Sequence, residues 1–360
     1  MARVFNFNPG PSTLPVDVLK IAQEELLDYK GTGMSIMETS HRAPEFDAVN
    51  EQAIALTREI MGLDDSYHVL FVGGGASSQF AIIPMNFLSD GKAGAYIDTG
   101  SWSAKAIKEA DIIGKAHVAA SSKDSEYKFI PKQDDIDLPG DAAYLHITTN
   151  NTIKGTQFHY IPETGGIPLI ADMSSDICSR VIDYSRFSLI YAGAQKNLGP
   201  SGVTMVIIKE DLLQKCNDGL PTMFDYRTHA GKKSLYNTPP SFNIYIVKLV
   251  LEWIKQQGGL SVVEKINKEK QETVYAMIDK YPDYFKGTTE KDSRSWMNIT
   301  LRLPSEDLEK KFIAEGKEAG LVGLKGHRSV GGIRVSLYNA MPLEGAQKVA
   351  EFMEDFKNKN

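Results

Sequence analysis

Short apolar runs alternate with longer amphipathic stretches along most of the chain. The runs, rich in β-branched and aromatic residues, predict strands at 68–72, 94–98, 116–119, 143–149, 167–172, 189–191 and 203–208. Apolar positions at helical spacing predict helices at 16–29, 44–61 and 242–257, and two more that begin near 77 and at 101. Strands separated by helices or crossovers are typical of an α/β fold with a mostly parallel sheet.

The chain changes character after the glycine pair at 258–259, which we interpret as a domain boundary. Beyond it the pattern predicts a helix to about 280, a strand at 296–303, a helix at 305–319, a strand at 332–338 and a last helix from 342. The Pro- and Gly-rich start reads as an extended arm. The predicted domains are therefore a large one at 15–258 and a smaller α/β one at 259–360, to which the arm at 1–14 is added.

Composition narrows the classes of function. The 360 residues are 42% hydrophobic and 24% charged, with a net charge of −6, so no basic field favours nucleic acid or an anionic membrane. The two cysteines have neither metal-ligand spacing nor a disulfide framework, and we expect no metal site. The first nine residues lack an apolar signal core, and no run is long enough to span a membrane. These features predict a cytoplasmic protein.

Ligand-suited groups follow several predicted strands directly. They are the Gly73-Gly74-Gly75 loop, Trp102, Thr152, Asp172 and Lys196. In a parallel sheet the carboxyl ends of the strands share one edge, where ligands bind. The glycine loop leads into a helix, whose first N–H groups can hold a phosphate, although a tight strand-to-helix turn explains it equally well. Together the five groups predict one site at this edge.

Lys196 stands in a loop of small residues between two strongly apolar runs. Partial burial lowers the pKa of a lysine and frees its amine to attack carbonyls, which is the chemistry of a Schiff-base lysine that holds an aldehyde cofactor. A solvated loop lysine is the plain alternative. Asp172 ends a buried strand and is suited to keep a pyridine nitrogen protonated.

Basic residues in the predicted smaller domain are further candidates for binding an anion. His327, Arg328 and Arg334 lie close together in the sequence, and the arginine fork matches a carboxylate or a phosphate. Strand alternation turns Arg334 away from the face of its apolar neighbours. A charged strand edge without function is the alternative. His41 and Arg42 form a second pair that can grip an anion.

Several motifs carry a resemblance to a known family. They are Asn6-Phe-Asn-Pro-Gly-Pro, Ser40-His-Arg, Gly73-Gly-Gly-Ala-Ser-Ser-Gln-Phe, Ala171-Asp-Met-Ser-Ser-Asp, Gly193-Ala-Gln-Lys-Asn-Leu-Gly-Pro-Ser-Gly, Tyr236-Asn-Thr-Pro-Pro and Gly326-His-Arg-Ser-Val-Gly-Gly-Ile-Arg. From Asn6 to Glu344 the chain resembles the phosphoserine aminotransferase family.

The resemblance implies a fold-type I enzyme dependent on pyridoxal 5'-phosphate, with a seven-stranded, mostly parallel sheet and a smaller C-terminal domain. It implies a homodimer with active sites at the subunit interface. The implied reaction is the reversible conversion of phosphoserine and 2-oxoglutarate to 3-phosphohydroxypyruvate and glutamate, in serine biosynthesis. Some relatives also transaminate 4-phosphohydroxythreonine in pyridoxine biosynthesis, and the sequence leaves that substrate open.

The resemblance also implies a role for each motif residue. Lys196 would form the Schiff base and move the proton, and Asp172 would pair with the pyridine nitrogen. The remaining expected cofactor contacts are Trp102, Thr152, Gln195, the backbone of Ala76 and Ser77, and, from the partner subunit, Asn237 and Thr238. The expected substrate contacts are Arg334, for the α-carboxylate, and His327, Arg328 and the partner's His41 and Arg42, for the distal anion.

The chain departs from the family pattern at one place, and there are two alternatives to the implied function. Many family members carry an arginine where this chain has Ser77-Ser78, which leaves the other basic residues to bind the substrate's anion. A lyase or cysteine desulfurase of the same fold needs a mobile nucleophilic cysteine, whereas Cys178 lies in a stretch that predicts packed structure. A non-catalytic phosphate-binding protein is the alternative from another class, but it would need neither Lys196 nor Asp172.

Overall fold

The computed structural model describes residues 3–360, so the first two residues of the predicted arm lie outside it. The strands are β1 Phe5–Asn6, β2 Tyr67–Val72, β3 Ala93–Asp98, β4 Lys115–Ser121, β5 Ala142–Thr148, β6 Leu169–Asp172, β7 Leu189–Gly193, β8 Thr204–Lys209, β9 Lys286–Gly287, β10 Asn298–Arg302, β11 Leu321–Val322 and β12 Ile333–Ser336. The helices are α1 Val16–Glu24, α2 Pro44–Met61, α3 Gly75–Phe87, α4 Ser101–Ile113, α5 Glu210–Leu213, α6 Tyr226–Ala230, α7 Ser241–Gln256, α8 Leu260–Lys280, α9 Glu306–Glu318 and α10 Leu343–Lys359.

A seven-stranded sheet with the order β2-β8-β7-β6-β5-β3-β4 forms the centre of the large domain. Only β8 runs against its neighbours, so the other six strands point the same way. This arrangement confirms the predicted mostly parallel sheet. Because β7 and β8 are antiparallel neighbours, the loop between them, at 194–203, turns back at the carboxyl edge of the sheet.

Strand alternation gives each face of this sheet its own hydrophobic core. Ile190 and Ala192 of β7 pack into one core with α2 and α7, whereas Leu189 and Tyr191 pack into the other with α3 and α4. A strand that is buried on both faces reads as a continuous apolar run, which explains the pattern seen in the sequence. The result is a three-layer α/β sandwich.

The smaller unit has a core of its own, built on the antiparallel sheet β12-β10-β9 and on α8, α9 and α10. The arm belongs to it, because β1 pairs with β11 and Phe7 is fully buried in this core. These contacts support the predicted division at residues 258 and 259, which stays a prediction. Val263, at the start of α8, still packs into the core of the large sheet.

The first helix is shorter than its sequence predicts. It ends at Glu24 instead of Tyr29. The Asp28 carboxylate accepts a hydrogen bond from the backbone N–H of Gly33 at 2.8 Å, and Tyr29 packs edge-on against Tyr245. These turn and packing contacts take the place of the last predicted helical turn, and they leave Tyr29 buried.

No helix among residues 3–360 is both long and apolar enough to cross a membrane.

Candidate active site

Four of the five groups predicted at the strand ends meet at the carboxyl edge of the large sheet; they are Lys196, Thr152, Trp102 and Asp172. Nζ of Lys196 donates a hydrogen bond of 2.7 Å to Oγ1 of Thr152 and lies 5.6 Å from the centroid of the Trp102 ring. The charge of Asp172 acts directly on Lys196. Asp172 is the last residue of β6, and the other three residues follow β7, β5 and β3, so the parallel sheet itself brings the four together.

The environment of Lys196 changes its acid–base chemistry. Lys196 is half-buried as a residue, but its ammonium group is desolvated, and this burial lowers its pKa to about 8. The carboxylate of Asp172 opposes the shift, and the charge of Arg334 adds to it. At neutral pH a substantial fraction of the amine is therefore uncharged and nucleophilic.

Asp172 is buried at the end of β6, and burial raises the pKa of its carboxyl group. The charge of Lys196 and a hydrogen bond from the backbone N–H of Ser174, at 2.9 Å to Oδ1, work in the opposite direction. A buried carboxylate with one oxygen left for a partner is suited to a cationic heteroaromatic nitrogen.

Helix α3 begins at Gly75, two residues earlier than predicted, so Ala76 and Ser77 lie in its first turn. The N–H groups of a first turn have no acceptor within the helix and carry the positive end of its dipole. Gly74 adopts a left-handed conformation with a φ of 91°, and a Cβ there would meet Oγ of Ser78 at 2.1 Å. The backbone can thus turn tightly into α3 and leave a cradle for a phosphate.

Gln195 precedes the lysine and folds back over Gly193. A Cβ on Gly193 would stand 2.8 Å from Oε1 of Gln195, so the glycine makes room for this amide. Gln195 follows β7 and therefore lies at the carboxyl edge of the sheet, and its contact with a cofactor phosphate stays a prediction.

Arg334 reaches this site from β12. It is buried, and its Nη1 donates to the carbonyl oxygen of Thr152 at 3.1 Å. Its Nε is buried and has no hydrogen-bond partner among residues 3–360. A buried guanidinium donor without an acceptor is suited to a carboxylate ligand. The alternation argument for Arg334 thus agrees with its observed position.

His327 and Arg328 lie beside Arg334 at the mouth of the site. The pKa of His327 is lowered by burial, and the positive charges of Arg334, Arg328 and Lys105 add to this effect. The backbone N–H of Ser329 points to Nδ1 of His327 at 3.2 Å. Because Nδ1 accepts this bond, the neutral imidazole carries its proton on Nε2 and can donate from there.

The remaining four predicted residues form a separate group at the surface, in which His41 is half-buried and the other three are exposed. Oγ1 of Thr238 and Nδ1 of His41 lie 3.2 Å apart, and Asn237 and Arg42 are exposed beside them. Within the described chain these residues hydrogen bond to each other or to local backbone, not to the residues around Lys196. The single chain therefore does not bring this group into the site, and the prediction that it acts on a partner subunit remains open.

Sequence reasoning missed the contacts that hold the Lys196 backbone. Oγ of Ser12 donates to the carbonyl oxygen of Lys196 at 2.5 Å, and the backbone N–H of Ser12 donates to that of Gln195 at 2.9 Å. On the other side, the backbone N–H of Asn339 donates to Oδ1 of Asn197 at 3.0 Å. The small residues of the arm were the only signal, because a close approach between distant segments leaves no local pattern.

The comparisons with known proteins agree with this geometry. The class-V aminotransferase family model matches residues 4–349. A phosphoserine aminotransferase of Geobacillus kaustophilus (strain HTA426) is 55% identical over 359 residues, which cover 100% of this chain and 99% of the relative. The relative from Desulfosudis oleivorans (strain DSM 6200 / JCM 39069 / Hxd3), of the same name, is 54% identical over 99% of both chains.

Solved structures give the same result. The phosphoserine aminotransferase from Bacillus circulans subsp. alkalophilus superposes with a TM-score of 0.98 at 54% identity and covers 99% of both chains. A phosphoserine aminotransferase from Trichomonas vaginalis, solved with PLP bound, superposes with a TM-score of 0.93 at 35% identity, over 98% of this chain and 100% of that one. The chain therefore belongs to the class-V aminotransferases and, within them, to the phosphoserine aminotransferase family.

Proposed function

We propose that the protein transfers the amino group of O-phospho-L-serine to 2-oxoglutarate and yields 3-phosphohydroxypyruvate and L-glutamate. The cofactor is pyridoxal 5'-phosphate. The observation that carries the proposal is the position of the Lys196 amine, with a pKa of about 8, beside Thr152, Trp102 and the buried carboxyl group of Asp172. The family membership of the whole chain supports the same reaction.

The residues present fit this cofactor. The first turn of α3 offers unpaired N–H groups to a phosphate, Asp172 offers a buried carboxylate oxygen to a pyridinium nitrogen, and the Trp102 ring offers a face within reach of Lys196. We propose that Thr152 and Gln195 hold the ring oxygen and the phosphate. When bound, the cofactor withdraws electrons from the substrate Cα and carries the amino group between the two half-reactions.

The protein's own groups then have distinct tasks. Arg334 holds the substrate α-carboxylate through its fork, which fixes the Cα–H bond relative to the Lys196 amine. Nζ of Lys196 would remove the proton from Cα of the amino donor in the first half-reaction and supply a proton to Cα of the new amino acid in the second, and a pKa of about 8 suits both transfers. His327 and Arg328 bind the distal anion, which is the phosphate of phosphoserine or the γ-carboxylate of glutamate.

A half-reaction tests the proposal. Phosphoserine alone is added to the purified holoenzyme, and the cofactor spectrum is followed, with glutamate as a second donor and unphosphorylated serine as the control. We expect phosphoserine and glutamate to convert the cofactor to its amine form, and serine to fail. A cofactor spectrum that ignores phosphoserine would contradict the proposal, as would a protein that binds no cofactor at all.

The alternative of a lyase with a nucleophilic cysteine finds little support. Cys178 is fully buried, and burial raises the pKa of its thiol to about 12. A thiol in that environment is neither mobile nor ionised at neutral pH.

The free, buried state of Cys178 and Cys216 agrees with a cytoplasmic location. Whether 4-phosphohydroxythreonine is a second substrate is tested by the same half-reaction.

We further propose a homodimer in which His41, Arg42, Asn237 and Thr238 complete the partner's site. The exposed apolar side chains of Leu27, Met34, Met37 and Tyr236 flank these residues in the sequence, and Leu27 is 85% exposed. Exposed apolar side chains in such a group are typical of an interface.

Complementation between inactive subunits tests this arrangement. A Lys196→Ala subunit and an Arg42→Ala subunit are each expected to be inactive alone. After mixing and reassociation, half of the dimers are mixed, and each of these has one complete site, so about a quarter of wild-type activity should return. No recovered activity from mixed dimers would contradict an Arg42 that acts across the interface.

A further inference from the structure

Lys105 lies in the first part of α4, one turn after Trp102, and no role has been assigned to it so far. Its Nζ lies 4.5 Å from the centroid of the Trp102 ring. It forms no salt bridge among residues 3–360, although the chain has many surface ion pairs. Lys108, one further turn along the same helix, is also exposed and without a salt bridge, but it has no contact with the ring.

The Trp102 ring relates Lys105 to the reacting amine. Nζ of Lys196 lies 5.6 Å from the ring centroid and Nζ of Lys105 lies 4.5 Å from it, so the two nitrogens are at most about 10 Å apart. In phosphoserine three bonds of about 1.5 Å each separate Cα from phosphorus. A substrate whose amino group is at Lys196 therefore brings its distal anion within reach of the long, flexible side chain of Lys105.

The smaller domain presents further cations at the same place. The positive charges of Lys105, Arg328 and Arg334 all act on the His327 imidazole, and no carboxylate does so. Cations that converge without an acidic partner repel each other and favour the binding of an anion between them. Lys105 comes from the large domain, whereas His327 and Arg328 come from the smaller one.

We propose that Lys105 is a specificity-determining residue that binds the distal anion of the substrate together with His327 and Arg328. One phosphate or γ-carboxylate group then contacts both domains, and substrates without a distal anion lose this contact. The inference rests on the proposed function and adds a residue to it. The conservative variant Lys105→Arg keeps the charge and should keep the function.

Steady-state kinetics of the holoenzyme test the proposal with Lys105→Gln, Lys105→Arg and the matched control Lys108→Gln. We expect Lys105→Gln to raise the KM for phosphoserine and for glutamate about tenfold, with kcat within about twofold, because a partly exposed ionic contact is removed. Lys108→Gln and Lys105→Arg should stay close to wild type. The slow half-reaction with L-alanine, which has no distal anion, should be the same in all four proteins.

Equilibrium binding gives a readout that does not depend on turnover. 3-Phosphoglycerate has the carboxylate and the phosphate but no amino group, and its dissociation constant is measured by calorimetry, with glycerate as the control lacking the phosphate. Lys105→Gln should weaken the binding of 3-phosphoglycerate about tenfold, and Lys108→Gln should leave it unchanged.

Two results would overturn the inference. Lys105→Gln could match Lys108→Gln in both KM and dissociation constant, which would make Lys105 an ordinary surface lysine. It could also slow the alanine half-reaction as much as that of phosphoserine, which would mean that it acts through Trp102. Failure of the proposed function looks different, because the wild-type enzyme itself would then not react with phosphoserine.

Discussion

The lowered pKa of Lys196 gives the most direct test of the site, because it results from burial of the amine and is modified by the charges of named neighbours, Asp172 and Arg334 among them. At pH 7.5 an amine with a pKa of about 8 is neutral in about a quarter of the molecules, whereas an ordinary lysine with a pKa of about 10.5 is neutral in about one in a thousand. The neutral fraction of Lys196 at pH 7.5 is thus about 200 times that of an ordinary lysine. In protein stripped of cofactor, Lys196 should react with an amine reagent faster by about this factor than it would with the ordinary pKa.

Competitive labelling measures this difference. The protein is pulsed with acetic anhydride at a series of pH values between 6 and 11, together with Nα-acetyl-lysine amide in the same tube, and the extent of Lys196 labelling is read by mass spectrometry. As pH rises, labelling of Lys196 should increase and level off with a midpoint near pH 8. The model compound should still be increasing at pH 10.

Two variants test the direction in which each neighbouring charge shifts the pKa of Lys196. The Asp172 carboxylate raises the pKa of Lys196, so Asp172→Asn should move the midpoint down; Arg334 lowers it, so Arg334→Met should move the midpoint up. A wild-type midpoint near 10.5, or shifts of both variants in the same direction, would refute the account of the site.

Three further variants test other parts of the structure. Gly74→Ala places a Cβ 2.1 Å from a side-chain oxygen at a φ of 91° and should weaken cofactor binding at least tenfold in a titration of the apoprotein, whereas Gly140→Ala, in open space, should not. Equal affinities in the two variants would count against the α3 cradle. Arg334→Leu should reduce kcat/KM for phosphoserine and for L-alanine alike by at least about a hundredfold, since both need the α-carboxylate contact; a loss confined to phosphoserine would assign Arg334 to the distal anion. Asn339→Ala removes a 2.9 Å hydrogen bond to the carbonyl oxygen of Cys178 and should reduce the free energy of unfolding by about 1–3 kcal/mol in denaturant titrations, and an unchanged midpoint would contradict this buried link.

Local patterns predicted most of the large domain because its strands are buried on both faces and its helices are amphipathic. The strand predicted at 189–191 is found at Leu189–Gly193, and the helix predicted at 242–257 is found at Ser241–Gln256. The shortest strands were not predicted from the sequence. The two-residue strand at 321–322 pairs with β1 near the other end of the chain, and the one at 286–287 pairs with β10; both are too short to carry a periodic signal.

The candidate site likewise has residues that the sequence predicted and contacts that it did not. The order of strands and loops was sufficient to expect Lys196, Asp172 and Thr152 at one edge, since parallel strands end together. It was not sufficient to find Ser12, which contacts Lys196 across 184 residues of sequence. Nor could it relate Lys105 to His327, because the two residues lie far apart in the sequence and only the folded chain brings the charge of Lys105 to bear on the imidazole.

The sequence alone determined the fold class, the edge of the sheet where ligands bind, and the residue types available there. These follow from hydrophobic periodicity and strand order, which are local properties of the chain. The tertiary structure decided how those residues behave. Burial of the Lys196 amine lowers its pKa to about 8, and β12 carries Arg334 to the carbonyl of Thr152, 182 residues away. Desolvation and charge act over a few ångströms in space, so only the folded chain sets them.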